Sequence, residues 1–402
     1  MENKNFNFDN LITIENLNFK YNKNSINLKI DKLELPEKKI ITFLGPSGSG
    51  KTTLLNLIAG FIKNKNVKVK NNLSINEIGY IMQNHSLYDN VSGKENIYVS
   101  AKNSYNWKYS KKIDFWKKFI EVLNLKNKKI ILNKINKIEN FIKEKKYLKI
   151  KIQLKLIEFY FLFNLNFWKN LNRYRLRYIF NKELTSIVKQ LEIEKIINKK
   201  PHQLSGGEKQ RIAFAKSIIK NNKFIIMDEP FSALDAKIKE QTIDWLKKIQ
   251  KLYNLSIIIV THDQTDAMKI SDLILVLKDG EIQQIGNSFE LYKNPQNIFV
   301  AKFIGFPEIN LIHEDEKYFY YLRNSDLIVH KSDEPKWKII DKKLIGDLWL
   351  YDVKWQNSDK RTKIAIKSNN FELNDHINLK YKNNDLLIFD KVTEKRVYIN
   401  HE

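Results

Sequence analysis

One stretch of eight residues, Gly45-Pro46-Ser47-Gly48-Ser49-Gly50-Lys51-Thr52, constrains this chain more than any other. The apolar run Ile40-Ile41-Thr42-Phe43-Leu44 before it reads as a buried strand, and Thr53-Leu54-Leu55-Asn56-Leu57-Ile58-Ala59-Gly60 after it reads as the first turns of a helix. G-x-x-x-x-G-K-T between a strand and a helix is a phosphate-binding loop. Its glycines let successive backbone N–H groups turn inward around a phosphate chain, and the helix start adds orphan donors and a positive end. Lys51 can reach the outer phosphates, and the Thr52 hydroxyl can hold Mg2+. The pattern predicts an α/β fold that binds a nucleoside triphosphate.

Further candidates follow along the chain. Tyr21, 24 residues before Gly45, can stack on a base, with Phe19 as its rival. Val67-Lys68-Val69 and Glu77-Ile78-Gly79-Tyr80-Ile81-Met82 read as strands, the second closed by Gln83, whose side chain can touch a metal ion. Leu204-Ser205-Gly206-Gly207-Glu208 precedes a helical pattern at Ile212, Ala215, Ile218 and Ile219, offering a second place for phosphate oxygens. Phe224-Ile225-Ile226-Met227-Asp228-Glu229 is an apolar strand ending in two carboxylates. Strand alternation would point the two acids to opposite faces, Asp228 toward Mg2+ and Glu229 toward an attacking water. Ser256-Ile257-Ile258-Ile259-Val260 is another buried-type strand, and His262 after it can touch a terminal phosphate. Leu273–Leu277 and Glu281–Gly286 flank Lys278-Asp279-Gly280 and read as a hairpin.

The chain has 402 residues and no cysteine, so a disulfide framework and thiolate metal sites are excluded. A polar N-terminus and the lack of long apolar runs predict neither a signal peptide nor a membrane span, and place the chain on the cytoplasmic side. Lys and Arg outnumber Asp and Glu 21 to 5 between residues 101 and 180, so this fifth of the chain carries two thirds of the formal +24 charge. From about Ser100 to Glu183 the chain lacks Gly and Pro, and the pattern predicts two or more helices. The most apolar part of this stretch, Leu156 to Trp168, is followed by Lys169, Arg173, Arg175 and Arg177. It suits a packed helix first, a membrane-surface or partner contact second and nucleic-acid binding last. From about Glu308 the tail turns aromatic and alternating. Strands are expected at Leu344 to Trp355, Thr362 to Lys367 and Leu386 to Asp390, in a small beta domain without chemistry of its own.

Taken in this order, the motifs resemble the ATP-binding subunit of an ABC transporter. Gly45 to Thr52 resemble the phosphate loop, Gln83 the glutamine loop, and Leu204 to Glu208 after Pro201-His202-Gln203 the signature. Asp228 and Glu229 resemble the acidic strand end, Ser232-Ala233-Leu234-Asp235 the D-loop, His262 the switch histidine and Tyr21 the adenine-stacking aromatic. Val260 to Gln264 and Gln284 through Gly305 resemble the importer branch, whose members include polyamine, sugar, glycerol-phosphate, iron and sulfate importers. The resemblance implies a P-loop ABC ATPase cassette over 8–306, a basic helical insertion at 101–180 enlarging the helical subdomain, and an OB-like domain over 307–402. It departs from the family in three places: the long Gln83–Leu204 interval, Glu208 in place of the usual glutamine, and a short tail in which Leu322-Arg323-Asn324-Ser325 faintly matches an Arg-Pro-Glu element.

The resemblance also implies a mechanism. Two copies pair head to tail, each ATP lying between Gly45–Thr53 of one and Ser205, Gly206, Gly207 and Glu208 of the other, with Asp235 nearby. Glu229 acts as base, His262 contacts phosphate, Lys51 clamps charge, and Thr52, Gln83 and Asp228 hold Mg2+. The implied partners are two integral membrane permease subunits, contacted through Gln83 and Ser86-Leu87-Tyr88-Asp89-Asn90, and through them an extracytoplasmic substrate-binding protein. The chain is then peripheral to the cytoplasmic face of the cell membrane, and no nucleic acid is expected. Gly45 to Thr53 lean toward polyamine importers, and Phe306-Pro307-Glu308-Ile309-Asn310-Leu311 a little toward the sugar and glycerol-phosphate group. A chromosome-organising ATPase shares the loops but needs a longer coiled-coil excursion, and a translation-factor type needs two cassettes.

Overall fold

The computed structural model describes residues 10–22, 25–70, 73, 77–82, 87–123, 128–161, 168, 174–331, 336–355, 361–367 and 370–398. The chain divides into two units, one of Met1–Thr42 and Lys51–Thr261, the other of Phe43–Gly50 and His262–Glu402.

In the first unit, β1 (Asn10–Lys20) pairs antiparallel with β2 (Asn27–Pro36), placing Ile14 opposite Leu33 and Leu17 opposite Ile30. These four are buried, but two exposed residues separate each pair along its strand; β2 keeps the period-two pattern of a sheet with one wet face on either side of that break, at Leu28 and Ile30 and at Leu33 and Leu35. β3 (Ile40–Leu44) is buried along its whole length and runs on into the second unit. α1 (Lys51–Ala59) inserts Leu54, Leu55 and Ile58 into the core and stops at Gly60, whose φ of 79° suits a residue without a Cβ. β4 (Val67–Val69) adds to β1. β5 (Ile78–Ile81), β6 (Phe224–Asp228) and β7 (Ser256–Thr261) pair in parallel, with Ile226 opposite Ile258. Their near-continuous apolar runs are what strands covered on both faces require.

The helices of this unit are α2 (Gly93–Asn103), α3 (Tyr105–Val122), α4 (Lys128–Lys143), α5 (Tyr147–Tyr160), α6 (Leu176–Gln190), α7 (Gly206–Ile218) and α8 (Ala236–Tyr253). Helices α3 to α5 form a core of their own around Trp116, with Ile120, Ile135, Ile138, Ile150 and Leu154. Isoleucines at 131, 135, 138 and 142 give α4 the i, i+4, i+7 spacing that keeps one stripe inward. Glu183 of α6 accepts from Trp107 Nε1 at 2.9 Å and pairs with Lys111 at 2.8 Å, joining α3 to α6. On α5 two faces coexist: Ile150, Leu154 and Ile157 are buried, while Leu148, Ile152, Leu156 and Phe159 are 50–73% exposed. Phe161 is buried and Trp168 exposed, and residues 162–167, Lys169 and Arg173 lie outside the described residues. Arg177 pairs with Glu95 and covers the Tyr98 ring at 4.3 Å.

In the second unit, β8 (Leu273–Lys278) and β9 (Glu281–Gly286) form the expected hairpin. Asp279 and Gly280 at its tip have φ of 50° and 82°, the two left-handed residues that match strand twist. α9 (Gln264–Ile270), α10 (Ser288–Lys293) and α11 (Ile298–Phe303) pack Ala267, Leu291 and Val300 against Ile274 and Val276.

The tail holds two sheets, one of β10 (Asn310–Glu314), β11 (Tyr318–Leu322), β17 (Leu387–Asp390) and β18 (Arg396–Val397). The other has the order β12 (Ile328–Lys331), β16 (His376–Lys380), β13 (Trp337–Ile345), β14 (Leu348–Trp355) and β15 (Arg361–Ile366). The stretch expected as strand at Leu344 to Trp355 begins inside one strand and turns into the next. Gly346, at φ 60°, reverses the chain there and sets Ile345 opposite Leu348. Arg323 is buried and donates to the carbonyls of Tyr292 at 3.1 Å and of Ala301 at 2.8 Å, and also to that of Ile304, so a single guanidinium ties the tail to α10 and α11. Burial pushes its pKa down to about 10.

Candidate functional site: a phosphate loop and an acidic strand end

Gly45–Gly50 form a tight turn after β3, with Ser49 N–H donating to the Pro46 carbonyl at 3.2 Å. Gly48 and Gly50 have φ of 79° and 101°, conformations that L side chains resist. A Cβ on Gly45 would sit 2.2 Å from the Leu277 carbonyl oxygen, so the β8 backbone can pass only because residue 45 is glycine. Gly280 N–H donates to the Ser49 carbonyl at 3.1 Å, tying the loop to the β8–β9 turn. Pro46 and Ser47 are exposed, whereas Ser49 is buried and its Oγ has no partner among the described residues. A buried hydroxyl left over in such a loop is what a phosphate oxygen would satisfy.

Lys51, Thr52 and Thr53 occupy the first turn of α1, where backbone N–H groups lack intrahelical acceptors. Thr52 is exposed and Lys51 only 7% exposed. Burial pulls the Lys51 ammonium below its ordinary range, against the attraction of Glu229 and Asp228. Asp228, the last residue of β6, is shifted up by burial first and by the Glu229 charge second, with Lys51 opposing. A cation and two carboxylates thus converge where α1 begins and β6 ends. Phosphate at Lys51 and a divalent cation at Asp228 would each restore the charged state that burial disfavours.

Strand alternation does not place Glu229, because β6 stops at Asp228 and Glu229 has φ 47°. A left-handed glutamate is an uncommon, costly conformation that persists where the surroundings impose it. Here its N–H donates to the Val260 carbonyl at 2.9 Å, and its own carbonyl accepts from Ser232 Oγ at 3.0 Å. Thr261 Oγ1 donates to its carboxylate at 3.4 Å. Thr261 escaped the sequence reading, although a hydroxyl closing an otherwise apolar strand was a signal for it.

A second cluster in the same unit opens α7. Ser205 caps the helix: its Oγ accepts from Glu208 N–H at 3.3 Å while the Glu208 carboxylate accepts from Ser205 N–H at 2.8 Å. This capping box leaves the first-turn amides of Gly206 and Gly207 as donors without an intrahelical acceptor. A Cβ on Gly206 would lie 2.6 Å from Leu234 Cδ2, so the glycine lets the 232–235 segment lie flat on the helix start. Asp235 caps α8 by accepting from Ile238 N–H at 3.0 Å. Tyr21 is 60% exposed and meets Phe19 edge-on at 5.8 Å. His262, in the second unit, is exposed. Gln83 lies outside the described residues, as does Ser86. Just after it, buried Asn96 of α2 accepts from Tyr88 N–H and donates to the carbonyls of Tyr88 and Val91, a clamp the sequence reading missed.

Residues 28–232 match the family model described as ABC transporter. The chain belongs to the ABC transporter family. An ABC transporter ATP-binding protein of Mycoplasma pneumoniae, the MG187 homolog, is 35% identical over 251 residues, covering 55% of this chain and 42% of its own. The sn-glycerol-3-phosphate import ATP-binding protein UgpC of Roseobacter denitrificans is 32% identical, covering 71% of this chain and 62% of its own. The spermidine/putrescine import ATP-binding protein PotA of Mesomycoplasma hyopneumoniae is 34% identical over 314 residues, covering 69% of both chains. The chain thus spans two fifths to two thirds of the length of the relatives it matches. Among the described residues, no helix is long and apolar enough to cross a membrane.

Proposed function

We propose that this chain hydrolyses ATP and that two copies, paired head to tail, energise solute import through a membrane permease. The convergence of buried Lys51 with Asp228 and Glu229 carries the reading. Thr52 and Asp228, with Gln83, would hold Mg2+, which would supply positive charge against the phosphates. Lys51 binds the outer phosphates, with the amides of Gly48 to Thr53 around them. Glu229 takes the proton of the attacking water, and its imposed backbone fixes where the carboxylate sits. His262 contacts the terminal phosphate. The seam with the second copy is closed by Ser205, Gly206 and Gly207, with Glu208 and Asp235 holding the helix starts behind it. Loss of the terminal phosphate removes charge that both surfaces need, and the pair opens.

Polyamine is the favoured substrate class, on the form of Gly45 to Thr53 and the similarity to a spermidine/putrescine import protein. Glycerol phosphate or sugar is the second reading, on Phe306 to Leu311 and a glycerol-3-phosphate import relative. Residues 8–306 form the cassette, 101–180 its basic insertion and 307–402 an OB-like regulatory domain, at the cytoplasmic membrane face beneath a permease fed by an extracytoplasmic binding protein. The exposed apolar stripe of α5 alternates with Lys149, Lys151 and Lys155, and this pairing fits an anionic lipid surface. The test is the Glu229→Gln variant, which should dimerise with ATP and Mg2+ in sedimentation while losing hydrolysis. A variant that stays monomeric at saturating nucleotide overturns the paired mechanism. Spermidine-stimulated turnover with the co-purified permease separates the substrate readings.

A further inference from the structure

A lysine-lined cleft with a volume of about 590 Å3 lies in the first unit. Its lining includes Lys38, Lys70, Lys111, Lys220 and Lys223, against which, among the described residues, stand only Glu37 and Glu77. Both glutamates are already engaged, Glu37 by Lys70 at 3.2 Å and Glu77 by Lys145 at 2.7 Å. Lys111 is held by Glu183, and Lys223 donates to the Tyr253 carbonyl at 3.0 Å. Lys220 is the exception: no hydrogen bond or ion pair reaches its ammonium among the described residues. Two residues on, Asn222 is 7% exposed, and its Nδ2 donor is buried without a partner among the described residues. A buried amide donor and a half-buried ammonium left unsatisfied on one cleft wall are costly unless an acceptor enters.

We propose that this cleft binds a small multivalent anion of the phosphate class, with Lys220 and Asn222 as its recognition groups and the neighbouring lysines as its rim. Lys220 sits just past the negative end of α7, which keeps an ammonium charged without a protein counter-ion. Burial lowers the pKa of both Lys220 and Lys216, the latter also through the Lys220 charge, and a bound anion would relieve both effects. The cleft touches the starts of β6 and β7 at Phe224 and Ser256, and those strands end at Asp228 and Thr261. The opposite end of α7 is Ser205-Gly206-Gly207. An anion in the cleft therefore bears on the far ends of the elements that carry the carboxylates and the signature. That regulatory half rests on the ATPase reading, whereas the binding half does not.

The test is calorimetric titration of pyrophosphate into the chain saturated with a non-hydrolysable ATP analogue. One saturable site is expected, weakened at least tenfold by Lys220→Met and severalfold by Asn222→Leu. The exposed-lysine control Lys195→Met should leave it unchanged, as should acetate competition at equal ionic strength. Unaltered analogue affinity shows that each variant is folded. No saturable heat, or equal affinity in Lys220→Met, overturns the site. Saturable binding that leaves the ATPase rate unchanged, with Mg2+ in excess, overturns the regulatory half alone.

Discussion

Asn96 and Tyr88 bond to each other twice: the Asn96 side-chain oxygen accepts from Tyr88 N–H at 2.7 Å, and its Nδ2 returns a bond to the Tyr88 carbonyl at 3.1 Å. A third bond from the same amide reaches Val91. Asn96 is fully buried and Tyr88 is 60% exposed, so a rigid anchor in α2 presents an aromatic knob outward. That knob belongs to the segment read as passing force to a membrane partner.

Asn96→Leu should therefore uncouple more than it unfolds. It leaves backbone groups of Tyr88 and Val91 unpaired, at about 1–3 kcal/mol each where they are shielded from water. Basal ATPase of the isolated chain should stay within a few-fold, while co-purification of permease subunits drops sharply. Equal permease recovery would remove Tyr88 from the coupling path.

In the proposed ATPase, Asp228 and Lys51 should set the pH window. Asp228 holds its proton to higher pH than an ordinary aspartate, so Mg2+ binding there should fail on acidification before it would at a normal carboxylate. Lys51 loses its proton at lower pH than an ordinary lysine, so the alkaline limb should move inward too. The profile of kcat/KM against pH should be narrower than ordinary Asp and Lys values give.

Glu208 completes a capping box with Ser205, and a glutamine there would do the same. Glu208→Gln should change stability by less than about 0.5 kcal/mol, whereas Glu208→Ala loses the reciprocal bond and about 1 kcal/mol. Thermal unfolding of both variants, with ATPase rates beside it, checks this.

The α5 stripe predicts lipid affinity. Leu156→Ser with Phe159→Ser should leave helix content unchanged, since both side chains face outward. It should lower sedimentation with vesicles rich in anionic lipid at least tenfold. Each lysine near the surface adds about 1 kcal/mol, so the remaining binding should fall steeply with salt.

The cassette was legible because its motifs need particular residue types at fixed spacings. Gly45, Gly48 and Gly50 mark a backbone that no other residue follows easily, and the runs into Asp228 and Thr261 mark buried parallel strands. What escaped depends on contacts distant in sequence. Arg323 was a faint match to a family element until its bonds to Tyr292 and Ala301 showed a guanidinium satisfying carbonyls some twenty to thirty residues away. Glu229 was placed by strand alternation, a rule that ends with the strand. The Leu344 to Trp355 stretch held a reversal whose signal, Gly346-Asp347, is only two residues long between Leu344-Ile345 and Leu348-Trp349.

Because the helices around Trp116 supply their own interior, the basic segment brings the material for its own solidity to the cassette. Changes to its outward residues are then free to accumulate without disturbing the machinery beneath. On the proposed reading, the segment could be tailored to a new surface while the ATPase residues stay the same.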